Sequence, residues 1–174
     1  MLGTLKEDGT LKVFSVYGYS KSGKTTTIEN LIKELIKRGY TVGTVKDIHF
    51  EQFAIDTEGS NTDRHKKAGA ELVCARGLYE TDILYQKRLP IPEILKFYTQ
   101  DYVILEGVTD FDVPKILCAS SISDIEKRMH PSVFAISGVI SNEISSYKEL
   151  PAINSMKEIK NLTDLVEKRA MEWK

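Results

Sequence analysis

Among its 174 residues the chain has two cysteines, five prolines, three histidines and one tryptophan, and its basic and acidic residues balance to a net charge of -1. Each scarcity excludes a class of protein. Cys74 lies in Leu72-Val73-Cys74-Ala75 and Cys118 in Ile116-Leu117-Cys118-Ala119, with no Cys or His at ligand spacing. That excludes a disulfide framework or a zinc module, and both residues read as buried free thiols. No segment approaches the roughly 18 to 20 continuous apolar residues that cross a bilayer. Met1 to Asp8 has no apolar stretch of a signal segment either, so the expectation is a cytoplasmic protein with no membrane partner. Charge of neither sign is in excess, which removes the electrostatic reason to propose a nucleic-acid partner. Repeats, low-complexity tracts and Pro/Gly/Ser-rich linkers are missing too, and residues 1–174 read as a single domain.

What is present begins at Gly18-Tyr19-Ser20-Lys21-Ser22-Gly23-Lys24-Thr25-Thr26, which fits the phosphate-loop pattern G-x-x-x-x-G-K-[ST]. Leu11 to Tyr17 before it alternates apolar and polar residues as a strand does. After it, Ile28, Leu31, Ile32, Leu35 and Ile36 recur at helical spacing, with Glu29, Asn30, Lys33, Glu34 and Lys37 on the face expected to meet water. Gly39 ends that helix and Tyr40 to Val45 resumes a strand. The glycines let backbone N–H groups turn toward phosphate oxygens, and the helix start adds unpaired N–H groups and the positive end of its dipole. A triphosphate is the natural guest. Gly18, Ser20, Ser22, Gly23, Lys24, Thr25 and Thr26 are its candidate contacts, with Lys24 on the outer phosphates and the Thr25 hydroxyl on Mg²⁺.

Further along, Asp47 to Asp63 is a long polar stretch holding His49, Phe50, Phe53 and Asp56, followed by a short helix over Thr62 to Ala68. Glu71 to Ala75 reads as a buried strand and Tyr79 to Leu84 as a weaker one; Pro90-Ile91-Pro92 introduces a helix over Glu93 to Tyr98. Tyr102 to Gly107, Val113 to Ala119 and Val133 to Ile136 read as strands, and Met156 to Trp173 as a closing helix. Strands alternating with helices predict an α/β, three-layer P-loop NTPase fold around a mostly parallel sheet.

Ligands of such sheets sit at the carboxyl ends of the strands. Glu106 closes an apolar run at that edge, so it is the candidate to hold Mg²⁺ directly or through water. With Lys24 it forms the candidate catalytic pair. Lys46 ends the second strand pointing toward the same place, and His49, Asp63 and Arg64 follow in the loop and short helix. Arg64-His65-Lys66-Lys67 serves equally as a solvated helix face or a phosphate-facing patch. The two phenylalanines either pack locally or meet a partner.

Together, Gly18 to Thr26, Val45-Lys46-Asp47-Ile48-His49, Asp56 to Gly59 with Asp63 to Ala70, Val103 to Gly107 and Pro114-Lys115-Ile116 resemble the MobB family, the molybdopterin-guanine dinucleotide biosynthesis adapter proteins. The resemblance runs from about Val13 to the last helix. It implies a GTP-binding protein with weak Mg²⁺-dependent GTPase activity that assists attachment of GMP to molybdopterin, in the molybdenum or tungsten cofactor. Its implied partners are GTP, a MobA-like molybdopterin guanylyltransferase, molybdopterin itself and a second copy of the chain. Carried over, Gly23, Lys24, Thr25 and Thr26 take phosphate and Mg²⁺, Glu106 serves the metal, and Lys46, His49, Asp63 and Arg64 line the nucleotide or partner face. The chain departs from the family at Asp47 and Phe50, where relatives carry a basic or imidazole side chain and a second histidine. It also lacks an N-K-x-D element for guanine. The competing reading of the same loop is a small-molecule kinase, which generally needs an arginine-rich lid; Arg76, Arg88 and Arg128 are scattered.

Overall fold

The computed structural model describes residues 10–50 and 53–174, so the reading of Met1 to Asp8 lies outside the described residues. The described residues divide into two compact units, one made of residues 10–47 and 98–174 and the other of residues 48–50 and 53–97.

In the first unit the elements are strand β1 (Leu11–Tyr17), helix α1 (Lys24–Lys37) and strand β2 (Val42–Lys46). The second unit holds α2 (Asn61–Lys67), β3 (Leu72–Arg76), β4 (Thr81–Tyr85) and α3 (Ile91–Leu95). The first unit resumes with β5 (Tyr102–Glu106), β6 (Lys115–Cys118), α4 (Ile122–Arg128), β7 (Val133–Ser137), β8 (Ser146–Tyr147), β9 (Leu150–Pro151), α5 (Ile159–Arg169) and β10 (Met171–Trp173). Its sheet runs β2-β5-β1-β6-β7 with parallel pairing throughout, and β10 adds an antiparallel partner to the first half of β1. This is the α/β P-loop architecture.

Both faces of the sheet are covered. Phe14, Val16, Ile104 and Ile116 pack with Ile28, Leu31 and Leu35 of α1 and Leu162 and Val166 of α5. Tyr17, Leu117 and Ile136 pack with Ile125 of α4 on the other side. The alternation read in β1 therefore does not mark a wet face. Ser15 is fully buried, and its hydroxyl donates to the carbonyls of Leu105 at 3.0 Å and Val108 at 3.2 Å, so a polar residue at the centre of the sheet is satisfied by the backbone.

Other expectations change for equally physical reasons. Glu34 does not face water: it is buried and accepts from Arg38 Nε at 3.0 Å, while Arg38 also pairs with Asp164 at 2.7 Å and so bridges α1 to α5. Ile36, in contrast, is 57% exposed. The closing helix is shorter than Met156 to Trp173, because the chain leaves it after Arg169 and pairs Leu11 with Trp173 in the sheet. Glu71 to Ala75 is not a buried strand: β3 and β4 form a separate antiparallel hairpin in which Leu72, Cys74 and Ile83 are exposed. Cys118 is buried as expected and Cys74 is not. The helix expected over Glu93 to Tyr98 starts and stops earlier, with Pro90 as its N-cap.

In the second unit α2 begins at a dense polar cap. Ser60 caps Asp63 N at 3.0 Å, and Asp56 Oδ1 accepts from Ser60 and Thr62 hydroxyls at 2.9 Å each. Lys66 Nζ stands 2.9 Å from Asp56 Oδ2. The Lys66 contact, followed by those two hydroxyls, holds the Asp56 carboxyl down at about 2. Since the folded value lies below the ordinary 3.8, the cap contributes fully above that value and is lost as pH falls through it toward 2. Amide NMR on acid titration should show residues 56–67 losing protection across that window, and Asp56→Asn should lose the same protection already at neutral pH.

Candidate functional site

β1 delivers the chain to the carboxyl edge of the sheet at Tyr17, and the turn that follows tolerates little but glycine. Gly18 has φ 149°, and a Cβ there would stand 2.0 Å from the Cys118 carbonyl oxygen. Lys21 has φ 62° and Gly23 φ 92°, so the loop repeatedly enters the left-handed region before α1 starts at Lys24. No acid lies in the first turn of α1, which leaves the positive end of its dipole available to an anion. Ser22 is fully buried, yet its Oγ has no hydrogen-bond partner. Lys24 Nζ donates to the Tyr19 carbonyl at 2.5 Å, resting on the loop's own backbone. Ser20, Thr25 and Thr26 are exposed.

A second loop braces the first. Val139 N donates to Ser22 O at 3.1 Å, and Ile140 N to Ala119 O at 2.9 Å. Gly138, at φ 83°, sits against Gly23: a Cβ on Gly138 would meet Ser22 O at 2.1 Å. Beneath them Thr27 Oγ1 lies 3.3 Å from Ser155 Oγ and 3.5 Å from Ser137 Oγ, and accepts from Cys118 Sγ at 3.6 Å. Burial pushes the Cys118 thiol up to about 12, so it serves packing and not thiolate chemistry.

On the other side of β1, register places Glu106 beside Val16 and opposite Lys46. Lys46 Nζ lies 3.2 Å from Glu106 Oε1. Asp47 N donates to Glu106 O at 2.9 Å and Gly107 N to Val16 O at 3.0 Å, which fixes the strand end in place. Lys115, almost fully buried, donates to the carbonyls of Phe111 at 2.8 Å and Val113 at 3.1 Å and so pins the segment that leaves Glu106. Burial pulls its pKa below the ordinary lysine value.

The first unit therefore gathers Gly18, Ser20, Ser22, Gly23, Lys24, Thr25, Thr26, Lys46 and Glu106 at one sheet edge. His49, Asp63 and Arg64 belong to the second unit. There Asp63 accepts from Gly59 N at 2.8 Å and pairs with Lys67 at 2.8 Å, engagements that hold its pKa down, and Arg64 is exposed on α2. Three features escaped sequence reasoning. Gly138 and its loop lie just past the strand read over Val133 to Ile136. Asp101, in the bend before β5, accepts from Thr41 N and Oγ1 at 2.7 Å each and ties β2 to the start of β5. Arg128, which looked isolated, lies 4.7 Å from the Tyr19 ring and 6.0 Å from that of Tyr17, in cation–π range of the loop's second residue. A glycine directly after a buried strand was the one local signal; Arg128 had none.

The family model described as "Molybdopterin guanine dinucleotide synthesis protein B" matches residues 13–142. The chain belongs to the MobB family. Over 147 residues it is 25% identical to the probable molybdopterin-guanine dinucleotide biosynthesis adapter protein of Bacillus subtilis (strain 168), covering 82% of this chain and 85% of that protein. Over 114 residues it is 34% identical to the adapter protein of Haemophilus influenzae, covering 62% of each. It spans only 47% of the putative adapter protein of Methanocaldococcus jannaschii, at 31% identity. Among solved structures, the crystal structure of Bacillus subtilis MobB superposes with a TM-score of 0.75 at 23% identity, covering 92% of this chain and 98% of that one. The resemblance read from the motifs of this MobB-family chain is thus borne out, and so is the fold class.

The brace makes a distinct prediction. Gly138→Ala must move Ser22 O, whereas Gly39→Ala meets nothing within 4 Å, though it strains a similar φ. Gly138→Ala should lower both thermal stability and triphosphate affinity, and Gly39→Ala should lower stability by about 1 kcal/mol with affinity unchanged. Calorimetry on both variants checks this.

Proposed function

We propose that this MobB-family chain binds GTP with Mg²⁺ and acts as an adapter for the guanylyltransferase that attaches GMP to molybdopterin, hydrolysing GTP slowly at most. The observation that carries the nucleotide site is Ser22 Oγ, buried and without a partner in a loop already built from residues in the left-handed region. A buried hydroxyl left unsatisfied costs about 1 to 3 kcal/mol, a cost that a phosphate oxygen would relieve. Lys24 would exchange the Tyr19 carbonyl for the outer phosphates, a charge-assisted bond in place of a neutral acceptor. Thr25 and Glu106 would hold Mg²⁺; among the described residues no cluster of three His, Cys, Asp or Glu side chains is placed to hold a metal by itself. That donor set suits an ion that keeps phosphate oxygens and water in its shell. Mg²⁺ there supplies charge neutralisation on the phosphates. His49, Asp63 and Arg64 are retained in this proposal as contacts of the nucleotide or the partner.

The adapter role draws on the printed names of the relatives, and on exposed apolar side chains that a solitary enzyme does not need. Phe50 is 82% exposed and Phe53 is 50% exposed; they are proposed as contacts of the guanylyltransferase. Among the described residues no helix is long and apolar enough to cross a membrane, in keeping with a cytoplasmic setting for such a partnership. Lys24→Ala should weaken GTP binding by about 2 to 4 kcal/mol with little loss of fold. Glu106→Gln should slow Mg²⁺-dependent hydrolysis more than it weakens binding. In a reconstituted mixture with the guanylyltransferase and molybdopterin, Lys24→Ala should also lower cofactor guanylylation. Unchanged guanylylation alongside lost GTP affinity would sink the reading in which GTP binding drives the adapter.

A second copy of the chain is proposed to bind at the β3-β4 hairpin. Two strands alone are marginally stable in water, and this pair sets Cys74 opposite Ile83 and Leu72 opposite Tyr85 on one face, with Leu72 and Ile83 about half exposed. Ile83→Asp should convert the dimer to a monomer in analytical ultracentrifugation while GTP affinity stays at the wild-type value.

A further inference from the structure

Lys46 and Glu106 are direct register partners on adjacent parallel strands, so their side chains leave the sheet on the same face. Lys46 Nζ stands 3.2 Å from Glu106 Oε1, and it is the partner of that carboxylate among the described residues. The pair is unequal. The Glu106 side chain is 16% exposed and that of Lys46 59%. A carboxylate so far out of water needs a cation beside it, whereas a lysine so well hydrated loses little by leaving.

We propose that Lys46 is a placeholder for the divalent cation at Glu106. In the metal-free protein its ammonium neutralises the carboxylate, and a hard divalent cation takes that oxygen by displacing it, since two positive charges cannot share one carboxylate oxygen without repulsion. The inference rests on the reading of Glu106 as the metal residue. The displaced ammonium stays tethered at the end of β2. Glu106 itself is in register with Val16, two residues before the phosphate loop opens at Gly18, so a triphosphate in that loop would bring its negative charge to the same sheet edge as the freed lysine. Lys46 thus gives its charge to a triphosphate when the metal is bound and to Glu106 when it is not. Metal occupancy and the distinction between GTP and GDP become one equilibrium, with Lys46 as a positioning residue that touches no reacting bond in the empty site.

The test uses the GDP-loaded full chain, in which a phosphate oxygen completes the metal's shell and no outermost phosphate competes for Lys46, with Mn²⁺ as the probe followed by electron paramagnetic resonance. Lys46→Met should bind Mn²⁺ about tenfold more tightly than wild type, because nothing has to be displaced. Lys46→Arg, which keeps the placeholder charge, should stay within about threefold of wild type, and Glu106→Gln should lose the site. In a second measurement, adding Mg²⁺ should raise the ratio of GTP to GDP affinity in wild type and leave it unchanged in Lys46→Met. A folded Lys46→Met protein with wild-type Mn²⁺ affinity would overturn the exchange. Wild-type Mn²⁺ affinity in Glu106→Gln would overturn the metal assignment beneath it.

Discussion

A loop that turns its N–H groups outward must place its carbonyl groups elsewhere, and that requirement organises the Gly18 to Gly23 end of the sheet. Ser22 O is taken by Val139 N and Tyr19 O by Lys24 Nζ. The first of these ties the loop to β7 and the second ties it to α1. Gly138 has no side chain because Ser22 O occupies the space. Ala119 accepts from Ile140 so that the bracing turn is itself braced. The buried hydroxyls of Thr27, Ser137 and Ser155 form the polar floor below. Removing the Ser22 to Val139 bond would leave a buried carbonyl and a loosened glycine turn together.

Much of this was legible before any coordinates. The phosphate loop, β1, α1 and the acid at the end of β5 all announce themselves by spacing that a few residues carry, and each lies where that spacing put it. What stayed hidden depends on pairing between distant segments. Arg38 reaching Asp164 buries Glu34, and no periodicity within α1 reports a partner 126 residues away. Ser15 reads as a water-facing position until β5 and β6 enclose it on both sides. Leu72 to Ala75 reads as core because its residues are apolar, yet the strand it forms has one neighbour and leaves the face of Leu72 and Cys74 exposed while Val73 is buried. In each case the local pattern is sound and the tertiary context reassigns the side it faces.

The second unit follows a different economy. Its α2 starts at a polar cap in which Asp56, Ser60, Thr62, Asp63, Lys66 and Lys67 satisfy one another, and α2 has no buried residue. Helix propensity cannot hold seven residues in water, so the cap contributes what a core supplies elsewhere. The exposed apolar side chains of the same unit, Phe50, Ile55, Leu78 and Tyr79 among them, are then surplus to its folding. Surface of that kind is what the partner contacts proposed above would cover.

The pairing of β10 with β1 joins residue 11 to residue 173, with every other element between them in sequence. β1 is also the strand between β5 and β6, so the centre of the sheet is assembled from contacts of very large sequence separation. Closing such loops is slow in entropy terms, and chains dominated by them fold on the slower side of the range for their size. During synthesis on a ribosome, β1 emerges long before β10 and waits for that neighbour until every element from α1 to α5 has been made.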